Sequence, residues 1–164
     1  MQTDIRQQLI AGLEELGLSV ETAQEQALLQ FMQQLKRWNK TYNLTAIKSD
    51  EQMLSHHILD SLAVVRPLRK LLADYQDISV LDVGSGGGLP GVVLAIMNPE
   101  WRITCIDAVE KKTSFITLVA GVLGLKNLSS KHTRIEKLII DPVELVISRA
   151  FASLIDFANW SGQH

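Results

Sequence analysis

One cysteine, Cys105, stands in 164 residues. A lone thiol cannot close an internal disulfide, and it cannot build a cysteine-based zinc site. The four histidines, His56, His57, His132 and His164, fall at no ligand spacing, so no metal is expected. Long apolar runs are also missing. The longest, Val92 to Met97, is far short of the ~20 residues that cross a bilayer, so no membrane partner is expected. Met1 to Arg6 lacks a basic start followed by an apolar core, which argues against a secretory signal and for a cytoplasmic location. A strong excess of one charge is absent too. The formal net charge of −2 excludes a uniformly basic nucleic-acid binder, so any such partner must be argued from local clusters.

What is present is globular: 46% hydrophobic and 21% charged residues, in a length that suits one domain or one domain with an appendage. Charge is segregated along the chain. Asp4, Glu14, Glu15, Glu21 and Glu25 face only Arg6 in residues 1–35, whereas Lys36, Arg37, Lys40, Lys48, Arg66, Arg69 and Lys70 outnumber Asp50, Glu51 and Asp60 in residues 36–70.

The first seventy residues read as helices. Ile5, Leu9, Leu13 and Leu16 recur at helical spacing until Gly17. Ser19 is expected to cap a second helix with Ala23, Ala27, Leu28, Phe31, Leu35 and Trp38 on one side, and the polar stretch Asn39 to Asn43 to break it. Ser49 or Asp50 caps a third, with Leu54, Ile58, Leu62 and Val65 inward, that Pro67 ends or bends. From Ile78 the rhythm changes. Strands are expected at 78–83, 103–107, 128–131 and 143–148, and helices at 90–97, 111–123 (Phe115, Leu118, Val119 and Val122 inward), 135–138 and 152–160. Such alternation predicts an α/β fold with a parallel sheet. The division is an N-terminal helical region, 1–72, and an α/β region, 73–164.

Between the first strand and its helix, Gly84-Ser85-Gly86-Gly87-Gly88-Leu89-Pro90-Gly91 holds five glycines in eight residues. Ligands of parallel sheets bind beyond the carboxyl ends of the strands, and glycines there let backbone approach a ligand closely. Two ligand classes compete. The nicotinamide fingerprint Gly-x-Gly-x-x-Gly would need glycine where Leu89 stands. The observed Gly84-x-Gly86-x-Gly88 fits S-adenosylmethionine better, because that cofactor has no pyrophosphate for the helix to receive. Asp107, at the end of the second strand, can accept hydrogen bonds from ribose hydroxyls in either class.

The segment Leu81 to Gly91 resembles the cofactor loop of the ribosomal RNA small subunit methyltransferase G family, also called glucose-inhibited division protein B. Trp38-Asn39-Lys40-Thr41-Tyr42-Asn43-Leu44-Thr45, His57-Ile58-Leu59-Asp60-Ser61-Leu62 and Ile147-Ser148-Arg149-Ala150-Phe151-Ala152-Ser153 resemble further blocks of it, in the same order. The resemblance implies a Rossmann-like class I methyltransferase sheet that moves a methyl group from S-adenosylmethionine to N7 of a guanosine in 16S rRNA, as free RNA or in the 30S subunit. It implies cofactor contacts at Gly84, Leu89, Ile135, Glu136 and Arg149; Gly86, Gly88 and Asp107 join them by the loop and ribose arguments. The family sheet usually has seven strands and four are readable here, so the chain is expected to be C-terminally truncated.

No catalytic dyad is expected. N7 of guanine carries an in-plane lone pair and no proton, so transfer needs positioning rather than a base. Asp60 and Asp82 read as hydrogen-bonding supports and Cys105 as a packed strand residue. Lys36, Arg37, Lys40 and Tyr42 are candidate RNA contacts, a basic cluster with aromatics that can hold phosphates and stack a base; Trp38 beside them is equally readable as core. Two alternatives stay open: an inactive fragment that binds cofactor or RNA, and a nicotinamide-dependent oxidoreductase.

Overall fold

The structure, a computed structural model, describes residues 4–149. The expected helix at 152–160, and the block residues from Ala150 onward, lie outside the described residues.

Helix α1 (Ile5–Glu15) starts at Asp4, whose carboxylate accepts from the Arg6 N–H at 3.0 Å. Helix α2 spans Thr22–Tyr42. Its start corrects the expectation for Ser19: Glu21 occupies the cap, and the Gln24 side chain accepts from the Glu21 N–H at 2.9 Å. Its end is corrected as well. Asn39 to Tyr42 stay helical, and the left-handed Asn43 closes the helix by donating to the Asn39 carbonyl. Polarity does not break the helix because Asn39 finds buried partners of its own. Ala23, expected inward, is exposed at the first turn.

Ser49 caps α3 (Asp50–Met53) by accepting from the Gln52 N–H at 3.2 Å. The helix widens to a π-helical segment, Leu54–Leu59, and resumes as α4 (Asp60–Leu62). The chain then turns at Ala63–Val64, ahead of Pro67, which sits in the first turn of α5 (Val65–Leu71). A first-turn N–H has no intrahelical acceptor, so proline starts this helix instead of ending the previous one.

Strands β1 (Ser79–Val83), β2 (Arg102–Asp107), β3 (Leu128–His132) and β4 (Leu145–Ile147) form a parallel sheet in the order β3-β2-β1-β4. Val80 pairs with Ile103 and Leu145, and Asp82 with Cys105 and Ile147. Helices α6 (Gly91–Met97) and α7 (Glu110–Leu123) make the crossovers after β1 and β2. A 3-10 turn, Ile135–Lys137, follows β3.

Side chains alternate across the sheet, as a period of two requires. Val80, Ile103 and Cys105 join α6, α7 and the N-terminal helices in one core that includes Leu9, Leu28, Phe31, Ile58, Leu94 and Phe115. Leu81, Val83 and Ile106 face the other way, onto Ile135 and Leu138. Helix α7 buries Phe115, Ile116 and Val119 but leaves Leu118 and Val122 exposed, which corrects their inward assignment. A helix lying on a sheet buries one stripe, and those two positions fall off it.

Candidate functional site

The glycine loop crosses from β1 to α6 over the end of β2. The Gly84 and Ser85 N–H groups both donate to the Ile106 carbonyl, at 2.9 and 3.1 Å. Gly88 and Leu89 donate back to the Ser85 carbonyl, at 2.8 and 3.2 Å. The glycines then divide by what a side chain would meet. A Cβ on Gly91 would lie 2.4 Å from Cys105 Sγ and 2.7 Å from Asp82 Oδ2; one on Gly88 would lie 2.4 Å from Val92 Cγ2. Those positions are closed by the protein itself. A Cβ on Gly86 would meet nothing within 4 Å. Gly86 has φ +55°, and its open side is room above the loop.

Asp107 pins that loop. Its Oδ2 accepts from the Gly86 N–H at 3.0 Å and its Oδ1 from the Val109 N–H at 2.9 Å. Each carboxylate oxygen has a second lone pair, so the group can still take two hydroxyl donors. Asp82 lies beneath, fully buried, with Oδ2 accepting from the Gly91 N–H at 2.9 Å. Its Oδ1 has no partner among the described residues. Burial pushes its carboxyl well above the usual carboxylate range, and the charge of Asp107 pushes the same way against the Gly91 bond. Burial likewise raises the Cys105 thiol, with Asp82 adding to it, so Cys105 is an inert packed residue, as its strand position implies.

On the β3 side, Thr133 N–H donates to the Asp107 carbonyl at 3.1 Å, and His132 Nε2 meets the Ala108 carbonyl at 2.9 Å. The turn that follows buries Ile135 and exposes Glu136. Leu89 is nearly buried at the α6 end of the loop.

On the β4 side, Arg149 bonds from Nη2 to the His56 carbonyl and to His57 Nδ1 (3.1 Å), and from Nε to Asp60 Oδ2 at 3.3 Å. A cavity of about 330 Å³ opens there, bounded by Asp60, Ser61, Val64, Pro90, Ser148 and Arg149 among others. The Ser61 and Ser148 hydroxyls are buried with no partner among the described residues. His57 Nε2 contacts Thr45 Oγ1 at 2.6 Å, and the Thr45 N–H donates to Asn39 Oδ1 at 2.8 Å.

The candidate residues thus lie along one rim in strand order: Ile135 and Glu136 after β3, Asp107 on β2, the glycine loop after β1, and Arg149 after β4. Four strands about 4.8 Å apart make a strip roughly 15 Å long. Sequence reasoning misses the partners of Arg149. It reads His57 only as one of four histidines at no ligand spacing, and gives Thr45 and Asn39 no part in a site. The only signal is that their blocks resemble the same family as the arginine's block; the spacing of 92 residues carries none.

Lys36, Arg37, Lys40 and Tyr42 are all exposed on α2. Lys36 pairs with Asp50 at 2.8 Å. Trp38 is half-buried, its ring 5.5 Å from Phe115 and 5.0 Å from Tyr42, so the core reading of Trp38 accounts for it. A Cβ on Gly87 would lie 2.9 Å from Leu35 Cδ1, which sets this half of α2 beside the glycine loop. Among the described residues no group of three or more His, Cys, Asp or Glu could hold a metal ion, and no helix is long and apolar enough to cross a membrane.

The family profile described as GidB, rRNA small subunit methyltransferase G, matches residues 24–164. Proteins named ribosomal RNA small subunit methyltransferase G are similar over most of the chain. That of Bordetella avium is 56% identical over 96% of this chain and 70% of its own length. That of Bordetella petrii is 55% identical over 92% of this chain and 59% of its own length, and that of Bordetella pertussis 53% identical over 96% and 70%. A solved structure of coclaurine N-methyltransferase with N-methylheliamine and SAH has a TM-score of 0.49 and 15% identity, over 88% of this chain and 49% of that one.

Proposed function

The chain belongs to the rRNA small subunit methyltransferase G family, and we propose that its sheet rim holds S-adenosylmethionine for methyl transfer to N7 of a guanosine in 16S rRNA. The observation that carries this reading is the pairing of Gly86 with Asp107. The loop leaves open space where a side chain would stand, and the carboxylate that fixes the loop keeps lone pairs for a ribose. The residues present therefore fit the cofactor. Gly84, Gly86, Gly88 and Leu89 would line its amino-acid end, Asp107 its ribose and the Ile135–Glu136 turn its base, with Arg149 at the β4 end.

The sulfonium, when bound, supplies an already activated methyl group. What the chain must add is alignment. Bringing two reactants into one geometry can lower a barrier by roughly 7–11 kcal/mol. No general base is required, because N7 loses no proton. The absence of a nucleophilic dyad in this reading agrees with the inert state of Cys105. The exposed Lys36, Arg37, Lys40 and Tyr42 would meet the RNA, and a ribosomal substrate would place the work in the cytoplasm.

Calorimetry separates the two cofactor classes: S-adenosylhomocysteine is expected to bind and NADH not to. Methyl transfer to 16S rRNA and to the 30S subunit, run beside a full-length family member, then tests the activity. Binding of NADH in place of S-adenosylhomocysteine would overturn the reading.

A further inference from the structure

We propose that His57 is a positioning residue for Arg149, held as the neutral Nε2–H tautomer so that Nδ1 faces the guanidinium as an acceptor. The argument begins with hydrogen-bond polarity. A guanidinium only donates, so the 3.1 Å contact between Arg149 Nη2 and His57 Nδ1 requires an unprotonated Nδ1. A neutral imidazole then carries its proton on Nε2, which donates to Thr45 Oγ1 at 2.6 Å. Thr45 is itself fixed. Its N–H donates to Asn39 Oδ1 at 2.8 Å, its Oγ1 accepts from the Ile47 N–H at 3.2 Å, and Asn39 Nδ2 donates to the Ile47 carbonyl at 3.2 Å. Asn39 is 5% exposed, so the Asn39 end of this clamp is shielded from water.

The polarity runs one way, from Arg149 through His57 and Thr45 to Asn39. A second proton on His57 would set N–H against N–H at Nδ1 and break the bond to Arg149. The groups facing the ring favour the neutral form. Burial comes first in lowering its pKa, then the charge of Arg149 from the end of β4, with His56 adding on the same segment. The His56 backbone bond and Asp60 oppose them. Thr45 and Asn39, which approach from the preceding loop and α2, do not titrate.

With the His56 carbonyl and the Asp60 carboxylate, Nδ1 fixes two guanidinium nitrogens. That sets Arg149 on the boundary of the 330 Å³ cavity. The consequence for ligand binding rests on the reading of this rim as the methyl-donor site; the tautomer and its partners do not.

Nitrogen-15 histidine spectra of the chain, with H57N used to assign His57, test the first half. The expected result is a protonated Nε2 and a bare Nδ1 at neutral pH, with titration below the ordinary range that moves back up in R149M. An Nδ1–H tautomer, or titration unaltered by R149M, overturns the proposal. S-adenosylhomocysteine calorimetry tests the second half. Asn at position 57 keeps an acceptor where Nδ1 stands, and Gln keeps a donor where Nε2 stands. Wild type is expected to bind more weakly on acidification; H57N is expected to bind within ~3-fold of wild type and to lack that weakening, whereas H57Q is expected to bind ~10-fold more weakly at unchanged thermal stability. Equal binding by the two variants overturns the positioning role. If the wild-type chain binds no S-adenosylhomocysteine at all, the cofactor reading fails, and the spectra alone decide the tautomer.

Discussion

The two ends of the sheet rim are built by different means. Beyond β1 and β2 the site is backbone: glycines with left-handed dihedrals, carbonyls of Ile106 and Ser85 that gather N–H groups, and one carboxylate that ties the loop down. Beyond β4 it is side chain: an arginine held by three groups of the π-helical segment and α4, which in turn lean on Thr45 and α2. The first end is local, since its partners belong to one strand–helix–strand unit. The second is assembled across 92 residues. A backbone cradle is set by sterics, closed to added atoms at Gly88 and Gly91 and open at Gly86. A side-chain network is set by proton positions and responds to pH.

Substitutions should separate the ends. The largest effect is expected at Gly91. In G91A the added methyl meets buried Cys105 and Asp82, and overpacking of this kind should cost about 3 kcal/mol, read from the urea midpoint. G86A should behave differently. Its methyl meets no protein atom, so the stability cost is the left-handed strain alone, about 1–2 kcal/mol, while S-adenosylhomocysteine binding falls by tenfold or more. If G86A bound normally, the open side of the loop would not be the ligand side.

The ends should also titrate in opposite senses. Asp82 keeps its proton better folded than unfolded, so its contribution to stability is full below pH 3.8 and is lost as pH rises towards its raised pKa. His57 is the reverse. The unfolded chain takes up its proton first, so stability falls as pH drops below 6.5 and levels off below the lowered pKa. D82N should flatten the first slope and H57N the second, in denaturation curves collected from pH 4 to 9. A slope unchanged by its own variant would disprove that assignment.

The smallest effect is expected on α2. K36A/K40A should change stability by only ~0.5 kcal/mol, because the Lys36–Asp50 pair is exposed. It should still weaken RNA binding and flatten the dependence on salt, by about one unit of log–log slope for each phosphate no longer neutralised. Identical salt curves for variant and wild type would remove this face of α2 from the RNA interface.

Much of the fold is legible because its signals are local. Short apolar stretches mark β1, β2 and β4 and only Leu128 marks β3, while the glycine cluster marks the loop. The misreadings have two causes. Residue type alone misjudges Ser19, Pro67 and the Asn39–Asn43 stretch, because their roles depend on which backbone groups already have partners. Periodicity alone misjudges Leu118 and Val122, because it does not reveal how narrow a stripe α7 buries.

By itself the sequence determined the parallel sheet, the cradle after β1 and the carboxylate of β2 beside it, because each follows from dihedral preference and spacing within one strand–helix unit. Only tertiary structure decided which glycine stays open, and which histidine tautomer meets Arg149. Both depend on atoms brought from distant segments to within a few ångströms, and no local pattern encodes such a distance.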